Sequence, residues 1–202
     1  MKLYCATTNP GKLAEIRLAC GRFGVDLEPL PGLRDVPPCP ETGVTFEENA
    51  VQKALYYGAH CEGYLFADDS GLEVDSLHDE PGVYSARFAG PGATDEENNR
   101  LLLDRMRGVE SRAARFVCAV ALACDGRLVA TFRGVVEGTL LEAPRGAGGF
   151  GYDPLFYHPP CGCTLAEIDA ERKLSVSHRG QALTAMLRYL SSTESRRSFC
   201  HP

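Results

Sequence analysis

The stretch Ala67-Asp68-Asp69-Ser70-Gly71-Leu72 puts two adjacent carboxylates, a hydroxyl and a glycine behind an apolar approach, Tyr64-Leu65-Phe66-Ala67. The approach reads as a strand that ends on the carboxylates. Oxygen donors at a strand end can hold a hard cation. Mg²⁺ typically takes one or two carboxylates and completes its shell with substrate phosphates. Two neighbouring carboxylates also repel, which raises the pKa of one unless a cation intervenes. Asp, Ser and Gly are equally ordinary turn residues, so a solvated turn accounts for the same stretch.

Four other segments bear on that choice. Thr7-Thr8-Asn9-Pro10-Gly11-Lys12 lies between a predicted strand and a predicted helix. Its glycine lets the backbone approach a ligand, and the helix N-terminus offers free N–H groups to an anion. It is not a Walker A loop, because Leu13 stands where Ser or Thr is required. A plain strand-to-helix turn is the alternative. Glu41-Thr42-Gly43 precede a helix carrying Glu47, Glu48, Asn49 and Lys53. Most of these charges read as a solvated face, but Lys53 lies beside the apolar stripe and can point into a cleft. In Pro81 to Phe88, Arg87 suits a phosphate or a structural carboxylate, and the sequence does not rank them.

Gly146-Ala147-Gly148-Gly149-Phe150-Gly151 matches G-x-G-x-x-G, yet Pro154 follows too closely for the helix that a dinucleotide fold needs. The better reading is a flexible loop presenting Phe150, Tyr152 and Asp153. An aromatic face beside a carboxylate suits a purine; Phe150 as a core anchor is the competing reading. Finally, Lys173 is followed by Ser177-His178-Arg179-Gly180. Cations at a helix N-terminus oppose the dipole, which points to an anionic or carbonyl-bearing ligand unless the residues form a surface basic cluster.

The positioning elements follow from periodicity. Leu3 to Thr7 reads as a strand, Lys12 to Phe23 as a helix with Leu13, Ile16 and Cys20 on one face. Thr45 to Glu48 and Thr94 to Glu97 match capping boxes. The first opens a helix to about Tyr57 that buries Phe46, Ala50, Ala54 and Leu55. The second opens a helix ending near Gly108, with Leu101, Leu102 and Met106 inward. Arg115 to Cys124 reads as a buried strand, Asp125-Gly126 as a hairpin turn, and Leu128 to Val136 as its partner. Ser177 is expected to cap a last helix, Gly180 to Leu190. The stretches 31–43, 81–92 and 144–162 read as long loops, and the chain from Ser192 as a loose tail. Mixed elements with an antiparallel hairpin predict an α/β domain with a mixed sheet.

The 202 residues suit one sizeable domain. A net charge of −6 excludes a nucleic-acid-coating surface but leaves room for a local basic pocket. No apolar run approaches a membrane span, and no signal-peptide core precedes Asn9-Pro10-Gly11. A cytoplasmic protein is therefore expected. The nine cysteines are odd in number and scattered, which favours reduced thiols. Cys118 and Cys124 read as core fillers, and Cys161-Gly162-Cys163 as a weak zinc signal.

Taken in order, Thr7 to Lys12, Ala67 to Leu72, Pro81 to Arg87, Gly148 to Pro154 and Ser177 to Gly180 resemble the inosine triphosphate pyrophosphatase family, also called XTP/dITP diphosphatases. The resemblance spans about residues 2 to 190. It implies an α/β fold with an elongated mixed β-sheet flanked by helices, in two lobes about a central cleft. It implies a single domain over 1–191, a homodimer, Mg²⁺ as cofactor, and hydrolysis of ITP, dITP and XTP to monophosphate and pyrophosphate. On this resemblance Thr7, Thr8, Asn9, Pro10, Gly11 and Lys12 hold the triphosphate, Glu41 and Asp69 the metal, and Asp69 is the general base with Asp68 and Lys53 beside it. Ser70 contacts substrate, Phe150, Gly151, Tyr152 and Asp153 form the base loop, and Lys173, His178 and Arg179 recognise the base. Cys161-Gly162-Cys163 departs from the usual pattern. A sensor that binds nucleotide without turnover, and a pyrophosphatase for modified pyrimidine nucleotides, are the alternatives.

Overall fold

The computed structural model describes residues 2–198 of the 202. In chain order the elements are β1 (Lys2–Cys5), α1 (Pro10–Arg22), β2 (Asp26–Pro29), α2 (Phe46–Gly58), β3 (Tyr64–Val74), α3 (Asp95–Arg105), β4 (Ala113–Cys124), β5 (Arg127–Leu140), β6 (Phe156–His158), β7 (Cys163–Thr164), α4 (Ala170–Val176) and α5 (His178–Ser198). They form an α/β fold around one mixed sheet of order β2-β1-β3-β4-β5-β6-β7. β1 runs parallel to β2 and β3, and the remaining pairs are antiparallel.

The long strand β3 does not end at the carboxylates. It continues through them to Val74, so Asp68 and Asp69 sit in mid-strand opposite Val120 and Ala119 of β4. This corrects the strand-end reading and removes the solvated turn. β3 passes through three apolar clusters. Phe66 packs with α1 and α5 through Ile16, Leu183 and Leu187. Ala67 packs with α2 through Phe46, Ala50 and Ala54. Leu72 and Val74 pack at the other end with Leu102, Phe116 and Leu155. Asp68 to Gly71 therefore cross the gap between the packed ends.

The helices follow their stop and start signals with some differences. Asn9 caps α1, its Oδ1 accepting from Lys12 N at 3.0 Å, with Pro10 in the first turn. The Thr94 box is complete. The Thr45 box is only half made, since the Glu48 carboxylate accepts from Val44 N instead of Thr45 N. Leu55 is 37% exposed and does not line the buried side of α2. Cys124 is half-buried beside Asp125 and fills no core, whereas Cys118 is buried. Asp125 and Gly126 both take the positive φ that a tight hairpin needs.

Short elements escaped the periodicity argument: β2, β6, β7, α4 and a 3₁₀ turn at Gly82–Arg87. Ser177 ends α4 and then serves α5, its Oγ accepting from Gly180 N at 3.1 Å, so α5 starts at His178 rather than Gly180. α5 runs on through 192–198, into the stretch expected as a tail. The rest of the expected tail lies outside the described residues. No helix among the described residues is long and apolar enough to cross a membrane.

Gly134 of β5 lets the start of α5 lie directly on the sheet. A Cβ there would sit 2.0 Å from the His178 carbonyl oxygen and 2.9 Å from Ala182 N. Both are backbone atoms, so α5 would have to shift. Gly134→Ala is expected to cost about 2 kcal/mol, lowering the thermal midpoint by about 4–8 °C for a chain of this size. A circular-dichroism melt unchanged from wild type would contradict this close seating.

Candidate functional site

Strand periodicity sends Asp68 and Asp69 to opposite faces of the sheet. Asp68 faces α1 and α5. Its Oδ2 accepts from Lys12 Nζ at 2.9 Å and lies 3.4 Å from Arg179 Nε. Asp69 faces α2, where its Oδ1 accepts from Lys53 Nζ at 2.8 Å and its Oδ2 from Asn49 Nδ2 at 3.2 Å. All of these side chains except Lys12 are buried. The expected mutual repulsion is therefore replaced by separate cation partners. Burial pushes the Asp69 carboxyl up against the opposing pull of Lys53. Burial also acts on Asp68, but Lys12 and Arg179 outweigh it and hold that carboxyl well below the usual range. Lys53 is held protonated, since Asp69, Asp68 and Glu41 outweigh its burial.

Two compartments meet at this strand. One is lined by Thr7, Thr8, Asn9, Lys12, Glu41, Lys53, Asp68, Asp69 and Arg87. Here the loop holding Glu41 is pinned along α2: Gly43 N donates to Asn49 Oδ1, Thr42 N to Gln52 Oε1, and Cys39 N to Tyr57 Oη. Glu41 consequently lies 3.4 Å from Lys53 Nζ, the same ammonium that binds Asp69. Arg87 reaches toward Glu41 at 3.9 Å and over the Tyr84 ring, which places it beside a carboxylate. Pro10 and Gly11 begin α1, and Gly11 meets Phe150: a Cβ at 11 would come within 2.6 Å of that ring.

The other compartment is lined by Ser70, Phe116, Phe150, Gly151, Tyr152, Asp153, Lys173, His178 and Arg179, and shares Asn9, Lys12, Ser70 and Ala86 with the first. Phe150 belongs to none of the apolar clusters, so it is not a core anchor. Lys173 and Arg179 lie over its ring, 4.6 and 5.4 Å from the centroid. Tyr152 and Asp153 are not presented freely as the loop reading expected. Tyr152 is buried and donates to Ser85 O at 2.8 Å. Asp153 is buried too, with one oxygen taken by Phe150 N and Lys173 Nζ. These two residues hold the loop and also contribute to the lining beside Phe150 and Gly151.

His178 and Arg179 are buried, which removes the surface basic cluster. His178 stacks on Phe116, with ring centroids 4.7 Å apart and planes 12° apart. Burial first, then Arg179, Lys173 and Lys12, push its pKa well below 6.5, so the imidazole is neutral. Its Nδ1 is buried with no partner. Arg179 donates to Asp68, Glu15 and Ser70, leaving two of its five N–H groups.

Glu15, on α1, is a residue the sequence reasoning missed. It pairs with both Lys173 and Arg179 although it is buried, and those cations lower its pKa despite the burial. The available signal was its place one position before Ile16, beside the apolar stripe. Asn49, given no role of its own by the sequence, is fully buried and joins the Glu41 loop to Asp69. Such a buried charge network is sensitive to the loss of any one member.

The fold and cleft thus define an α/β protein whose aromatic, cation-lined compartment opens onto a second one bearing carboxylates and lysines. The chain belongs to the Ham1 family, whose model matches residues 3–189. It is 51% identical to a dITP/XTP pyrophosphatase of Acidobacterium capsulatum over 197 aligned residues, covering 93% of this chain and 97% of that protein. It is 50% identical to the one from Thermus thermophilus, covering 93% and 90%. Among solved structures, the Staphylococcus aureus Ham1 protein superposes with a TM-score of 0.85 at 34% identity, covering 96% of this chain and all of that one.

The neutral His178 gives a pH dependence. Its folded pKa is depressed below 6.5, so the unfolded chain binds a proton that the folded one refuses. Its contribution is complete above pH 6.5 and is lost as pH falls below that value. His158, depressed by burial, acts in the same direction. Urea unfolding is expected to show stability falling between pH 6.5 and 5, and His178→Phe should flatten part of that slope. An equal slope in the variant would mean His178 is protonated in the fold.

Proposed function

We propose that this chain hydrolyses the triphosphates of deaminated purines, ITP, dITP and XTP, to the monophosphate and pyrophosphate. The observation that carries this reading is the junction of the two compartments at Asn9, Lys12, Ser70 and Ala86. A purine on the Phe150 side would leave its triphosphate on the side of Lys12, Lys53, Asp69 and Glu41. The dITP/XTP pyrophosphatases that the chain resembles support the same substrate class.

The donor chemistry fits Mg²⁺. Glu41 and Asp69 offer hard carboxylate oxygens around one lysine. Among the described residues no group of three His, Cys, Asp or Glu side chains could hold a metal alone. Phosphate oxygens and water would then complete the shell, the usual arrangement for this ion. When bound, the ion neutralises charge on the phosphate oxygens.

The chain's own residues supply the rest. Asp69 takes a proton from the attacking water as its oxygen bonds to the α-phosphorus and the bond to the bridging oxygen breaks. Lys53 and Asn49 fix the Asp69 carboxylate in the position from which it can accept that proton. Lys12 stands at the α1 N-terminus, where free N–H groups add to its charge on an anion. For the base, the two remaining N–H groups of Arg179 would donate to a 6-oxo acceptor, whereas the 6-amino group of adenine would set donor against donor. Assembly as a homodimer and a cytoplasmic location belong to the same proposal and rest on the family resemblance.

Product analysis with Mg²⁺ and ITP, dITP, XTP, GTP, ATP or dUTP tests the reading. Monophosphate and pyrophosphate are expected from the first three far faster than from the rest. Preference for dUTP would indicate a pyrimidine enzyme, and binding without product a sensor. Asp69→Asn is expected to lower kcat about 10²–10⁴-fold with nucleotide binding retained. Near wild-type turnover in the folded variant would remove Asp69 as the base.

A further inference from the structure

The base compartment has two walls from distant parts of the chain. One is the 3₁₀ turn Gly82–Arg87, which contributes Ser85 and Ala86; the other is the loop around Phe150 and Gly151. Helix α3 touches both, and its Asp95 and Asn98, though not Asn99, line the compartment themselves. Asp95 and Asn99, one turn apart, grip the two ends of Gly151. Asp95 Oδ2 accepts from Gly151 N at 2.6 Å, and Asn99 Nδ2 donates to Gly151 O at 2.9 Å. Asn98 grips the opposite wall: it is 3% exposed, accepts from Ala89 N at 2.8 Å and donates to Ala86 O at 3.4 Å.

Gly151 has a φ of +62°, a conformation that leaves its peptide groups turned outward toward α3. The Asn99 amide serves this grip at a cost, because its Oδ1 is buried without a partner. The opposite amide orientation would set that oxygen against Gly151 O. A side chain present only to pack would have no reason to bury an unpaired oxygen.

We infer that the first two turns of α3 act as a spacer that fixes the width of the base compartment, with Asp95, Asn98 and Asn99 as positioning residues. The inference rests on the nucleotide reading for what the compartment holds. A stacking slot tolerates little change in width, because contacts between an aromatic ring and a base weaken once the surfaces part. Selectivity for a purine is then set partly by a helix outside the base loop.

The test uses the whole protein with IMP, inorganic tripolyphosphate and dITP. Asn99→Ala and Asp95→Ala are each expected to weaken IMP binding and raise KM for dITP by about tenfold, the size of one lost hydrogen bond. The inhibition constant of tripolyphosphate, which needs only the phosphate side, should stay unchanged, with kcat within about twofold. Asp95→Asn keeps an oxygen for the Gly151 N–H and should restore IMP binding relative to Asp95→Ala. Amide exchange at Gly151, measured without nucleotide, should rise about tenfold in Asp95→Ala, which removes the acceptor of that N–H. Unchanged IMP affinity in both alanine variants would overturn the inference, as would equal weakening of IMP and tripolyphosphate. A wild type inert toward dITP would remove the nucleotide reading instead, and the exchange at Gly151 would then decide the grip alone.

Discussion

The two-residue period of β3 is the constraint on which the rest of the site depends. Side chains in a strand alternate between faces, so adjacent carboxylates cannot share one environment. Asp68 is drawn into the α1–α5 side, between Lys12 and Arg179, while Asp69 is drawn to α2 and Lys53. Each helix must then bring a cation to a fixed height on the strand. α1 does so with a lysine in its capped first turn, α2 with a lysine two turns in, and α5 with an arginine at its start.

Burial makes this arrangement exacting. Charges removed from water are costly unless paired, and the loss of one partner strands the other. The chain Asp153–Lys173–Glu15–Arg179–Asp68–Lys12 links the base loop to the phosphate side through successive ion pairs. Asp68 is accordingly a structural bridge as much as a site residue. Its neighbour Asp69 faces the other way, toward Lys53 and Asn49, where burial pushes its carboxyl up rather than down.

Much of this was legible because local signals and burial agreed. The buried hairpin β4–β5, the Thr94 cap and the helices α1 and α2 all follow from periodicity and turn chemistry. Elements of two to four residues, such as β2 and β7, carry no period to read. The Asp68-Asp69 stretch misled for a different reason: polar residues within a strand look like its end until their partners are known. Glu15 and Asn49 were hidden in the same way. Each is a polar residue on a helix, and only the fold shows that its partners lie on β3 or beyond it, Glu15 with Arg179 and Asn49 with Asp69. Apart from Pro10 and Gly11, the site residues named from the five motifs lie along the two adjoining compartments, and Tyr152 and Asp153 also anchor their loop through Ser85 and Lys173.

The contact between Gly11 and Phe150 has a consequence for how variation in this chain is read. The phosphate-side turn and the base-side ring are in van der Waals contact there, with no space for even a methyl group. Gly11→Ala is a minor change by chemical similarity. In this geometry it presses on both halves of a ligand's surroundings at once, so tolerance at position 11 is governed by a neighbour 139 residues away in sequence.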